Sequence, residues 1–136
     1  MSAPVVPVGV SESGAMAIPH AVGTVGWYRY GTVPGSTTGS AVFSGHVDAA
    51  DQGVGVFARI GDLGPGDVIE VTDTAGVTRP FRVVAREEWT KGRVPLDRLF
   101  DRTGRLRIVL ITCGGSYDQQ ALSYDDNIAV TAVPAA

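Results

Sequence analysis

Two residues in this 136-residue chain have side chains that complement one another chemically: Cys113, the single cysteine, and His46, one of two histidines. A lone thiol is usually a small buried apolar group, and a lone imidazole is usually a satisfied polar one. Together they can act as a nucleophile and its proton-transfer partner. The thiolate attacks an acyl carbon, and the imidazolium delivers a proton to the leaving amine. One cysteine can form neither an internal disulfide nor a thiolate metal cage. The acidic residues show no spacing that specifies a calcium site. The chemistry expected of this pair needs no metal and no other cofactor.

The surroundings of both residues point the same way. Leu106-Arg107-Ile108-Val109-Leu110-Ile111-Thr112 is a run of β-formers that leads into Cys113 and then Gly114-Gly115. This predicts a cysteine at the exit of a buried strand, on the rim of a sheet, where glycine lets the backbone turn and another chain come close. Ser40-Ala41-Val42-Phe43-Ser44-Gly45 leads into His46 in the same manner. Two strand ends on one rim can bring the pair together. Papain-like enzymes instead place the cysteine at a helix start, upstream of the histidine, and the order here is the reverse.

The elements that must hold these strand ends read as β-rich. Strand-like segments cover 5–10, 15–18, 25–30, 40–45, 68–72, 78–89, 105–112 and 128–133, with turn signals at 31–39, 64–67 and 101–104 between them. Residues 55–63 place Val56, Phe57, Ile60 and Leu63 on one helical face. Residues 95–100 open on Pro95 and carry Leu96, Leu99 and Phe100, which fits a single helical turn. On strand 78–89, Arg82, Arg86, Glu87 and Glu88 are expected to form the solvated face. Eight strands with one or two short helices in one domain, 1–136, predict an all-β, eight-stranded barrel.

Composition excludes other classes. The chain is 44% apolar with a formal net charge of −3 and scattered arginines, which gives no nucleic-acid surface. No window reaches the ~18 apolar residues of a membrane helix. Four further residues have structural roles as the simpler reading: His20 in a turn, Asp48 as a turn-former that can also steer His46, and Trp27 with Tyr28 as packing groups.

Five segments, in order and at suitable spacing, carry a resemblance. They are Val25-Gly26-Trp27-Tyr28, the run from Gly39 to Asp48, Leu63-Gly64-Pro65-Gly66-Asp67, Leu110-Ile111-Thr112-Cys113-Gly114-Gly115, and the run from Tyr124 to Val130. Over residues 4–133 the chain resembles the sortases, and within them the class F branch. The resemblance implies a sortase-type barrel, monomeric, on the outer face of a Gram-positive cell membrane, with the family's N-terminal anchor missing from this chain. It implies cleavage of a Leu-Pro-X-Thr-Gly-type sorting signal between Thr and Gly. The acyl chain is then held as a thioester and passed to an amine of the cell wall or of a pilin, with hydrolysis as a side outcome.

Carried over by position, the nucleophile is Cys113, the acid/base is His46, and Thr112 is the residue preceding the nucleophile. The chain departs from the family in one respect: no arginine or lysine follows Cys113, where the family has an arginine that binds substrate backbone or oxyanion. The replacements on offer are Arg93 in the loop before the second short helix, the Asn127 amide, and the backbone N–H groups at Gly114. Arg107 lies six residues upstream of Cys113 along a strand, about 20 Å away, too far to serve. An inactive sortase-like barrel that only binds peptides is the rival expectation. A cell-wall cysteine hydrolase with the same pair is a third.

Overall fold

The computed structural model describes residues 3–9, 23–46, 48–49, 53–54, 56–57, 60–90, 95–118 and 123–135. In it the β-formers pair into nine strands: β1 Val5–Val8, β2 Val25–Tyr28, β3 Ser40–Ser44, β4 Asp48–Ala49, β5 Gly53–Val54, β6 Val68–Thr72, β7 Thr78–Thr90, β8 Arg107–Asp118 and β9 Ser123–Pro134. A helical turn, α1, spans Leu96–Leu99, and a 3₁₀ turn spans Ile60–Asp62. Seven strands form one sheet in the order β1-β2-β3-β8-β9-β7-β6, and β4 with β5 makes a separate hairpin. β1 pairs with β2, and β3 with β8, in parallel; the other ladders are antiparallel.

The sheet is strongly curled. Val25, near one edge, and Ile69 and Val71, on the other edge strand, all pack on one cluster with Phe43, Phe81, Ile108 and Val130. A flat sheet of seven strands could not bring its two edges to one core, so the architecture is a half-barrel closed around apolar side chains. The expected all-β barrel is therefore the observed fold, with seven strands in the curl. The expected strand at 15–18 lies outside the described residues.

Period-2 alternation gives the sheet a second buried face. Val42, Val109 and Ala129 point away from the main core and are covered by Leu99 of α1, with Tyr28, Trp89, Phe100 and Ile111 around them. All five residues of β3 are consequently buried, which explains its unbroken run of small and apolar side chains. A four-residue helix has no stability of its own. Burying Leu99 contributes about 2 kcal/mol and docks α1 on the sheet.

Two expectations are corrected. Residues 55–63 do not form an α-helix. Phe57 and Ile60 are buried as the pattern requires, but the Phe57 N–H donates to the His46 carbonyl (3.0 Å) and the Ile60 N–H to the Phe57 carbonyl (3.2 Å), so its described residues 56–57 and 60–62 form turns. β8 does not stop at Cys113. It continues to Asp118 as one arm of a long hairpin with β9, with a register shift between Gly114 and Tyr117, because cross-strand pairing outweighs the local preference of two glycines to turn. On β7, Arg82, Arg86 and Glu88 are exposed and Glu87 partly so, as expected. A bulge between Val83 and Ala85 changes the facing of the strand: Val83 belongs to the main core, whereas Trp89, an even six residues further on, packs on the second face.

Candidate active site

The parallel ladder of β3 with β8 aligns Val42 with Val109, Phe43 with Leu110 and Ser44 with Ile111. One step further, the buried Thr112 hydroxyl donates to the Gly45 carbonyl, so the same alignment persists beyond the last ladder pair. The next step is His46 on one chain segment and Cys113 on the other. Continued by that step, the register would set side by side two residues that lie 67 apart in sequence. Across β8, Cys113 is the Cα partner of Asn127 on β9, and Gly114 that of Asp126. Across β9, Asn127 is the partner of Trp89 on β7. Cys113, Asn127 and Trp89 therefore form one row over three neighbouring strands, and the extrapolated β3–β8 register would add His46 to its end.

The histidine end of the row is held by close packing. An added Cβ on Gly45 would sit 2.9 Å from the Phe57 ring, a distance real Cβ atoms essentially never show, so only glycine fits there. Phe57 is 3% exposed and its N–H holds the His46 carbonyl at 3.0 Å. His46 itself is partly exposed. Ring, glycine and threonine hydroxyl thus fix the backbone on either side of the imidazole. The sequence signal for this lies in Gly45, whose place before His46 marks a close approach, and in Phe57, whose apolar face was legible although its partner was not.

Of the other sequence-derived candidates, Asn127 is brought to the row. Thr112 is 3% exposed, with its hydroxyl on Gly45. Arg93 lies outside the described residues. Arg107 is at the opposite end of β8, where its guanidinium donates to the Thr103, Arg105 and Asp101 carbonyls at 2.9, 3.0 and 3.1 Å. Sequence reasoning gave no role at the site to Trp89 and Arg98. The Arg98 guanidinium lies 5.5 Å from the centroid of the Trp89 ring and donates to Glu87 Oε2 at 2.8 Å.

Asp73 is held below the usual carboxylate range by the Arg79 guanidinium and the Val77 N–H, and Asp101 by the N–H and hydroxyl of Thr103. Among the described residues no cluster of His, Cys, Asp and Glu is able to hold a metal ion. No helix among them is long and apolar enough to cross a membrane.

Comparison with known proteins gives the arrangement its context. The Sortase domain family matches residues 1–135. No relative is found among curated proteins. Among solved structures, sortase C-1 from Actinomyces oris is 22% identical, with a TM-score of 0.67, over 84% of this chain and 58% of its own. Sortase A from Corynebacterium diphtheriae is 21% identical, with a TM-score of 0.68, over 98% of this chain and 55% of its own. The Group B Streptococcus Pilus Island 1 Sortase C2 is 16% identical, with a TM-score of 0.72, over 98% and 67%. The chain thus spans little more than half the length of the first two.

Proposed function

The chain belongs to the sortase family, and from that premise we propose that it is a cysteine transpeptidase acting on a C-terminal sorting signal of the Leu-Pro-X-Thr-Gly type. The observation that supports the reading is the register continuing from Ser44–Ile111 through Thr112–Gly45, whose next step would set His46 beside Cys113. In the proposed reaction the Cys113 thiolate forms an S–C bond to the threonine carbonyl carbon. The C–N bond to glycine breaks, and the imidazolium of His46 gives its proton to the departing amine. An incoming amine of the cell wall or of a pilin then loses its proton to His46 and displaces the sulfur. Water taking the amine's place gives hydrolysis.

The oxyanion formed at each step needs donors. Backbone N–H groups around Gly114, the Asn127 amide and Arg93 are the proposed sources. Thr112 acts on substrate indirectly, by holding the Gly45 carbonyl and so the segment that carries His46. The class F assignment rests on the ordered motifs of the sequence, and with it the placement on the outer face of a Gram-positive cell membrane.

A second reading has its own support: no arginine or lysine follows Cys113. A sortase-like barrel without a competent donor would bind sorting peptides and not turn them over. Incubating the protein with a library of pentapeptides and measuring its intact mass separates the two. A thioester adduct at Cys113 supports the enzyme; peptide binding with no adduct and no cleavage supports the binding module.

A further inference from the structure

We infer that Arg98, lying on Trp89 at the end of the Cys113–Asn127–Trp89 row, selects peptides that carry an acidic side chain close to the scissile bond. The inference rests on the proposed function and deepens it by naming a specificity residue. Two observations carry it. The β7 bulge between Val83 and Ala85 puts Glu87 opposite Ala129 and Trp89 opposite Asn127, on the strand next to the partner of Cys113. Leu99 anchors α1 on the same face, against Val42, Val109 and Ala129, so its neighbour Arg98 lies at the border of the row. Arg98 is a cation held over that face by a ring contact at 5.5 Å and by one carboxylate at 2.8 Å.

The geometry suits exchange of one carboxylate for another. The side chains of Arg98 and Glu87 are 57% and 35% exposed. An ion pair this open contributes little to stability, so a substrate carboxylate can replace Glu87 at small cost. A planar guanidinium offers a carboxylate two parallel N–H donors, and a ring beneath it keeps the fork in one plane. Strands lie about 4.8 Å apart, so two steps across the sheet put Trp89 about 10 Å from Cys113 at their Cα atoms, or roughly three residues of extended peptide. Upstream of the acylated threonine these positions are the fixed Pro and Leu of the motif, so the acidic side chain that reaches the guanidinium stands at either of the two positions that follow the motif's glycine.

The other arginines that the structure shows in polar contacts of this kind are committed elsewhere. Arg29 lies over the Tyr30 ring and donates to its hydroxyl, Arg79 is held by Asp73, Arg86 pairs with Glu88, Arg102 donates to the Tyr30 carbonyl, and Arg107 donates to the turn at 101–105.

The test compares kcat/KM for three otherwise identical peptides with Glu, Gln or Lys in turn at the two positions, in wild type, Arg98→Ala and Arg98→Glu. A preference ratio is unaffected by a general loss of activity, so a merely structural role for Arg98 would leave it unchanged. The expected result is a Glu-over-Gln preference of about tenfold in wild type, in line with a charge-assisted bond. It should fall to within about twofold in Arg98→Ala and turn to a preference for Lys in Arg98→Glu. No preference in wild type, or a Glu preference that persists in Arg98→Ala, overturns the inference and leaves the transpeptidase reading intact. A wild type that forms no adduct with any of the peptides overturns both.

Discussion

At the Ser40–Arg107 end of the parallel β3–β8 pair, the chain is held by exposed polar bonds. Asp101 accepts from the N–H and hydroxyl of Thr103, and Arg107 spreads its guanidinium over the 101–105 turn. Asp73 organises the neighbouring β6–β7 turn through the N–H groups of Ala75 and Val77 and through Arg79. At the Ser44–Ile111 end the fastening is buried: a threonine hydroxyl on a carbonyl, and a phenyl ring against a glycine with no room for a methyl. The first arrangement is redundant and solvated, so losing one bond costs little. The second depends on a few groups removed from water, where each loss is felt in full. The end that carries the candidate chemistry is therefore the more sensitive to substitution.

Substitutions can break this contrast, beginning with the largest effect. Cys113→Ala is expected to abolish thioester formation with Tm changed by only a few degrees, and His46→Ala to leave no more than a few per cent of kcat/KM. The wild-type pH profile should be bell-shaped, its two apparent pKa values belonging to the pair. Calorimetry alongside peptide cleavage checks both, and a Cys113→Ala chain that unfolds would make the thiol a packing group. Next come the donors: Arg93→Ala or Asn127→Ala should lose about 2–4 kcal/mol of transition-state stabilisation, while Arg107→Ala, at the far end, keeps wild-type kcat/KM. Equal rates for all three would leave the oxyanion to backbone N–H groups.

Smaller effects on stability sharpen the same contrast. Thr112→Val leaves the buried Gly45 carbonyl without its donor, and Gly45→Ala drives a methyl into the Phe57 ring; each should cost about 1–3 kcal/mol in urea unfolding. Full stability in both would show that the site end is not held as described. Asp73→Asn should give the smallest shift in Tm. The folded-state pKa of Asp73 is lowered, so its contribution is present above the ordinary carboxylate value and lost as pH falls through the folded one. The difference in Tm between Asp73→Asn and wild type should therefore be seen at pH 7 and vanish in acid.

How much of this was legible in the sequence depended on how local the cause was. β6 was read to the residue, because Gly66-Asp67 and Asp73 bound a clean alternation. α1 was legible from Pro95 and the spacing of Leu96, Leu99 and Phe100. The continuation of β8 past Gly114-Gly115 was not, because the partner that extends it is a different strand. Nor was Trp89 at the row, because the bulge that changes the register of β7 leaves no mark in the pattern of Arg82, Arg86, Glu87 and Glu88. Cys113 and His46 stood out by residue type and strand-exit context, but their alignment is a property of the parallel ladder and of nothing local.

That ladder also sets a timetable. Thr112 and Gly45 meet across 67 residues, whereas β6 with β7 and β8 with β9 can pair soon after each is made. Closing the longer loop costs only a little more entropy, but contacts of this span come late and slow a β-rich chain. On the ribosome, at about 5–20 residues per second, the imidazole emerges some seconds before the thiol. Until β3 is in place between β2 and β8, the histidine segment has no strand to align it with the cysteine. On the proposed reading, reactivity at Cys113 is then a readout of completed folding, and a chain arrested with its hairpins formed but β3 undocked would have near-native strand content without the proposed catalytic pair.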